Sequence, residues 1–525
     1  MEIMKKTLLA IIFLIFTKNI TAQISEEWIN RYDTTERTRS NLIKINNTDL
    51  FLLGTISNDI ILIKYNLIGQ VIWNFRYNGT GKGNDLPSKM IFDKKGNIYI
   101  NGCSPGVGTG VDYVTIKIDS IGNQIWARRF TSGGNERDAS YGLAMDSTGN
   151  IFVTGESFSI DRRECLTIKY DSSGNQQWIS RFQAGLSCIG YEVICDKWGN
   201  SFVTGHGNIG IFTIKYNYRG EQVWRTEYSA VGSETPRSLE IDSSGSIYVA
   251  GLSNLGMYWD YITIKYDSSG NELWNRRYNG SGNYMDQLND MKIDKLGNVY
   301  VTGNGTQTGT GYDYTTIKYN TNGTEQWVAK YHNGLNDIAT ALTIDDFGSV
   351  YVTGRSDGNN TQFDYATVKY DSLGNQMWAI RYNYSNEYDD EARSIVLDNE
   401  NNIYVTGDSY IWGHSNAVVI KYTQTLTGVY QTQMHLPSTL TLNQNYPNPF
   451  NPVTNLGFGI SDLGFVSLKV YDVLGNEITT LVNERKSPGN YEVVFDGTGF
   501  ASGIYFYSLE VDGNTIDTKR MILLK

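Results

Sequence analysis

Two series of carboxylates recur along the chain at matching places. One holds Asp85, Asp138, Glu234, Asp286, Asp337 and Asp390; the other holds Asp59, Asp112, Glu164, Asp260, Asp313 and Asp364. Carboxylate oxygens gathered in a ring suit a hard cation, so the first series is a candidate Ca²⁺ site. The competing expectation is that each carboxylate caps loop amides or pairs with a nearby Arg. Aromatic side chains at Tyr258, Trp259, Tyr410 and Trp412 offer flat faces for sugar rings or peptide side chains, or else pack over strand edges. The four histidines (His206, His332, His414, His435) have no metal-ligand spacing, and no nucleophile elbow or phosphate-binding glycine loop is present. Two functional classes follow. The primary expectation is a binding or interaction module with a carbohydrate or protein ligand. The alternative is a polysaccharide-active hydrolase or lyase drawing an acid and base from the loop carboxylates, although nothing selects a pair. A formal charge of −11 excludes a nucleic-acid partner, which needs a basic surface.

The elements that position these residues are short and repetitive. A "W..RY" motif recurs at Trp28, Trp73, Trp126, Trp178, Trp224, Trp274, Trp327 and Trp378. Segments like "YVTG" end at Gly54, Gly102, Gly155, Gly205, Gly251, Gly303, Gly354 and Gly407, and segments like "TIKY" centre on Lys64, Lys117, Lys169, Lys215, Lys265, Lys318, Lys369 and Lys421. A fourth segment ends at Asp93, Asp146, Asp196, Asp242, Asp294, Asp345 and Asp398. Each is rich in β-branched and aromatic residues and bounded by turn formers, so each predicts a strand. Two intervals are fixed at nine residues, from the strand-ending Asp to the Gly and from the Lys to the next Trp. Both mostly hold D-x-x-G-N, the chemistry of a tight reversal. The other two connections vary in length. In a meander, alternate connections lie at opposite strand ends, so the fixed hairpins share one face and the variable loops, with both carboxylate series, share the other.

Four strands per repeat of about fifty residues is the unit of a β-propeller blade. The tight hairpins cannot carry the chain between blades, so the boundary falls in the loop after "RY". The last repeat then lacks an outer strand after Tyr422, and Glu27 to Tyr32 can supply it, with Trp28 beside Lys421. This predicts eight blades closed by the N-terminal strand; seven blades with a spare unit is the alternative. The stretches Asp294-Lys295-Leu296-Gly297-Asn298-Val299-Tyr300-Val301-Thr302-Gly303 and Asp313-Tyr314-Thr315-Thr316-Ile317-Lys318-Tyr319 resemble the bacterial SBBP propeller repeat, which implies this fold and little about activity.

After Tyr422 the composition changes, and five of the eight prolines lie beyond it. The segments Asn445-Tyr446-Pro447-Asn448-Pro449-Phe450-Asn451-Pro452, Val470-Tyr471-Asp472-Val473-Leu474-Gly475-Asn476-Glu477, Ala501-Ser502-Gly503-Ile504-Tyr505 and Lys519-Arg520-Met521-Ile522-Leu523-Leu524-Lys525 resemble a type IX secretion sorting domain, type A. The resemblance implies a small Ig-like β-sandwich that engages the type IX machinery and places the protein outside the cell or on its outer surface. At the other end, Lys5 and Lys6, the apolar run Leu8 to Phe16 and Ile20-Thr21-Ala22 read as a signal peptide. The expected organisation is a signal peptide over residues 1–22, a propeller over 23–422, a linker over 423–440 and a sorting domain over 441–525, in an all-β monomer without a transmembrane segment. Cys103, Cys165, Cys188 and Cys195 sit at packing positions and are expected to remain unpaired.

Overall fold

The computed structural model describes residues 23–524 except 33–35, 160, 231–232, 359–360, 413, 426–439, 462–463 and 487–488. The signal peptide expected over 1–22 and most of the linker expected over 423–440 lie outside the described residues. The chain forms two compact units, Met1–Thr427 and Gly428–Lys525. Among the described residues there is no helix, hence none long and apolar enough to cross a membrane.

The first unit is built from one antiparallel, four-stranded sheet used again and again. In the first sheet Thr38–Asn46, Asp49–Ile56, Asp59–Asn66 and Val71–Tyr77 pair in chain order. Six more sheets keep that order, from Leu86–Phe92 through to Gln376–Tyr382. The eighth departs from it: Asp390–Leu397, Ile403–Ile411 and His414–Thr425 take Gln23–Tyr32 as their outer strand. Trp28 pairs with Lys421 and Tyr32 with Ala417, which is the register predicted from the motif spacing. First strands pack one against the next around a closed cycle, and Asp390–Leu397 meets Thr38–Asn46.

Burial follows from this stacking. A middle strand such as Ile98–Gly106 is buried along most of its length, whereas the outer strand Val71–Tyr77 alternates between exposed and half-buried residues. Cores therefore lie between sheets: Tyr99, Tyr113 and Trp126 of the second sheet share a cluster with Leu143, Val153 and Leu166 of the third. Free Cys165 and Cys188 are fully buried in such a cluster, and Cys103 and Cys195 are also free thiols. Burial pushes the Cys188 thiol up to about 12.

The repeated motif residues are the clasps of this assembly. Trp126 donates from Nε1 to the Ser172 carbonyl (3.4 Å), Trp274 to Thr321 (3.1 Å) and Trp327 to Ser372 (3.1 Å), each in a hairpin of the following sheet. The ring lies on that hairpin's glycine, where a Cβ on Gly174 would stand 2.9 Å from Trp126. Trp28 makes the same clasp across the eighth junction, donating to Leu67 at 3.2 Å over Gly69. The motif lysines reach the same carbonyls, Lys117 to Ser172 (2.9 Å) and Lys265 to Thr321 (3.2 Å), across the rings of Tyr99 and Tyr248. The "TG" glycines face a bulge in the first strand: a Cβ on Gly102 would meet the Leu86 carbonyl oxygen at 2.1 Å. In the fixed hairpins Asp93 Oδ1 accepts the amides of Lys95 and Asn97 (both 2.9 Å), and Gly96 takes φ 81°.

The second unit has two antiparallel sheets. Thr441–Leu442, Val453–Ile460 and Gly489–Asp496 form one; Glu477–Lys486, Gly464–Tyr471, Gly503–Val511 and Asn514–Leu523 form the other. Phe458, Phe495, Leu468, Tyr507 and Met521 fill one core between them.

Candidate functional site

All six carboxylates of the first series are buried at the variable-loop end. Each accepts a main-chain amide from the loop that leads into its sheet: Asp85 from Gly79 (2.7 Å), Asp138 from Ser132 (2.7 Å), Glu234 from Ala230 (2.9 Å), Asp286 from Gly280 (2.5 Å), Asp337 from Asn333 (2.8 Å) and Asp390 from Tyr384 (2.7 Å). Burial raises the Asp286 and Asp337 carboxyls and pushes Asp390 up to about 6. The ring expected to attract Ca²⁺ thus resolves into separate loop clasps, and no three of its members meet around one point among the described residues.

The second series lies on the third strand of six of the sheets, and in five of them it takes a guanidinium from the outer strand, seventeen residues on. The pairs are Arg76–Asp59 (2.6 Å), Arg129–Asp112 (2.8 Å), Arg181–Glu164 (3.1 Å), Arg277–Asp260 (2.6 Å) and Arg381–Asp364 (2.7 Å). In the fourth sheet both partners are gone, replaced by Gly210 and Glu227. In the sixth, Lys330 stands in place of the Arg and turns to Gln307 (2.6 Å), while Asp313 meets His332 Nδ1 at 3.0 Å. The pairing expected of these carboxylates could be guessed from type; the seventeen-residue offset to the Arg was the signal available for it.

The four aromatic candidates fall into two patches with two sheets between them. On the fifth sheet Tyr258 lies beside Tyr284, ring centroids 4.3 Å apart, whereas Trp259 packs against the core cluster of Tyr248, Tyr261 and Leu288. On the eighth, Trp412 is 80% exposed at φ 41° with the Tyr388 ring 6.4 Å away, and the Tyr410 amide donates to Asp389. The Tyr258 patch encloses a cavity of about 270 Å³ lined by Leu255, Met257, Tyr258, Asp260, Arg277, Asn279, Asn283 and Tyr284. Sequence reasoning passed over Tyr284, whose place two residues before a first-series carboxylate puts it in a variable loop facing Tyr258. A second concavity, about 600 Å³, lies on the C-terminal unit beside Tyr471, Leu474 and Phe506.

A charged channel also went unpredicted. Lys89 pairs with Glu192 (2.6 Å) and Lys292 with Glu240 (3.4 Å), all from first strands. Lys44, from the first sheet, has no carboxylate at ion-pair distance among the described residues. Burial and the positive charges of Lys89 and Lys292 lower its amine from 10.5 to about 8.

A closed cycle of four-stranded antiparallel sheets, first strand inward, defines a β-propeller, here followed by a separate two-sheet unit. Residues 378–411 match the family model of the SBBP beta-propeller repeat, and residues 444–523 match that of the secretion system C-terminal sorting domain. The C-terminal unit is therefore a type IX sorting domain, and the protein is exported to the cell surface or secreted. No curated protein sequence matches the chain. Similar solved structures include PorZ, a surface component of the type-IX secretion system of Porphyromonas gingivalis (12% identity over 93% of this chain and 82% of that one, TM-score 0.31). Others are a PL25 ulvan lyase (12%, 68% and 96%, TM-score 0.41) and Sqt1 from Chaetomium thermophilum (9%, 77% and 100%, TM-score 0.46). Likenesses of this strength say nothing about ligand or activity.

Proposed function

We propose that the protein is an exported binding module in which an eight-bladed propeller presents a saccharide-binding face on its variable loops. In this reading the N-terminal strand completes the eighth blade, and an Ig-like sandwich engages the type IX machinery. The observation that carries the ligand class is the Tyr258–Tyr284 cavity. Two tyrosine rings 4.3 Å apart border side-chain amides of Asn279 and Asn283 and the Asp260–Arg277 pair, so apolar ring faces and hydroxyl partners lie together. Aromatic faces cover the C–H side of a sugar ring while amide and charged groups take its hydroxyls. Exposed Leu255 and Met257 extend the rim, and Trp412 with Tyr410 offers a second contact for a longer chain. A glycan array probed with the full chain and with Tyr258→Ala/Tyr284→Ala tests the reading. The expected result is saccharide binding that the double substitution abolishes, with no product released. Binding that survives the double substitution, or an array without any binder, would refute it.

A further inference from the structure

We infer that Asp313, His332 and Asp337 form a site for one divalent transition-metal ion of the zinc class at the variable-loop end, where the sixth sheet meets the seventh. Of the described His, Cys, Asp and Glu side chains, these alone place three ligand atoms within 4.8 Å of one another. His332 Nδ1 stands 3.0 Å from Asp313 Oδ1 and 3.7 Å from Asp337 Oδ2. Donors about 2.0–2.2 Å from a common ion stand roughly 2.8–3.6 Å apart at octahedral or tetrahedral angles, so both distances from the imidazole lie in or near that range. Both carboxylates are already aimed. Thr310 Oγ1 donates to Asp313 Oδ2 at 3.0 Å, and Ser356 Oγ donates to Asp337 Oδ1, which leaves the other oxygen of each turned toward the imidazole. Asp337 Oδ2 also accepts the Asn333 amide at 2.8 Å.

A second observation is independent of that spacing. In five other sheets the second-series carboxylate is held by an Arg, and here that cation is absent. Lys330 occupies the Arg position but bonds Gln307, and Arg381 of the next sheet reaches Asp337 only by way of Ser356. Two carboxylates, 4% and 0% exposed over residue Asp313 and Asp337, are left with one half-exposed imidazole. Buried carboxylates without full compensation are costly, and a divalent ion supplies the missing charge. The imidazole ligand favours zinc-like metals over Ca²⁺, which takes six to eight oxygens.

The test is calorimetric titration of Zn²⁺ into the untagged, chelator-treated full chain, repeated with Co²⁺ under visible absorption. One saturable equivalent and Co²⁺ d–d bands are expected. His332→Gln should weaken uptake by more than about tenfold, the lower end of what losing even an outer-shell partner costs. Lys330→Arg, which restores the guanidinium of the other sheets, should weaken it as well without touching a ligand, and His206→Gln should leave it unchanged. Circular dichroism establishes that each variant is folded; if His332→Gln is not, Lys330→Arg decides. Absence of saturable uptake, or uptake unchanged in both the His332 and Lys330 variants, overturns the assignment.

Discussion

Replacing Lys44 by Met should stabilise the protein at neutral pH. Lys44 projects among Lys89, Lys292, Glu192 and Glu240, and its amine is lowered from 10.5 to about 8, first by burial and then by the two lysines. At about 1.36 kcal/mol per unit, holding this ammonium in the folded channel at pH 7 costs at most about 3.4 kcal/mol. Water in a half-buried channel screens the charge, so a gain of about 1–3 kcal/mol is expected from Met, which keeps the apolar stem. The sign fixes the pH dependence. Between pH 8 and 10.5 the unfolded chain holds a proton that the folded chain has lost, so the parent protein gains stability as pH rises through that window. At about pH 9.5 only one unit separates the solution from the unfolded value, and the advantage of Met shrinks to at most about 1.4 kcal/mol. Urea melts of both proteins at about pH 7 and pH 9.5 measure this directly. A destabilised Lys44→Met protein at pH 7, or a gain that does not narrow at pH 9.5, would refute the reasoning.

Trp28→Ala should open the eighth junction, with a loss of about 3–5 kcal/mol or less in proportion to its partial exposure, read as a lower urea midpoint. Adding a synthetic peptide of residues 23–32 to a chain lacking them should restore part of that midpoint. Arg129→Ala strands the fully buried Asp112 carboxylate and should cost about 3–5 kcal/mol at pH 7, which thermal melts check. Deleting residues 441–525 should retain the propeller inside the cell envelope, and fractionation of cells and medium shows whether it does.

How much of this was legible in the sequence depended on how local the chemistry is. The D-x-x-G-N hairpins could be read because Asp, Gly and Asn make the turn among themselves, as Asp93, Gly96 and Asn97 do. Closure by the N-terminal strand could be read because the final repeat ran short by one strand whose Trp and Tyr stood elsewhere. The loop carboxylates were found by position, but their roles were divided between alternatives. Only the fold shows that the first series holds loop amides and that the second, Asp313 apart, holds guanidiniums. The channel escaped notice because its charges occupy two different first-strand positions: Lys44, Glu240 and Lys292 at one, Lys89 and Glu192 at the other, so no column appears on alignment of the repeats. Tyr284 escaped because a variable loop has no repeat partner to be compared with.

The way the chain leaves the ring bears on load. The strand that runs toward the sorting domain, His414–Thr425, is an interior strand, paired at nine positions with Ile403–Ile411 on one edge and at nine with Gln23–Tyr32 on the other. A protein tethered through its tail while its ligand is dragged by flow is pulled on that strand. Tension must then strip two hydrogen-bonded ladders together rather than peel one edge. The borrowed N-terminal strand thus acts as a backing plate, and a chain without it should let go at lower force.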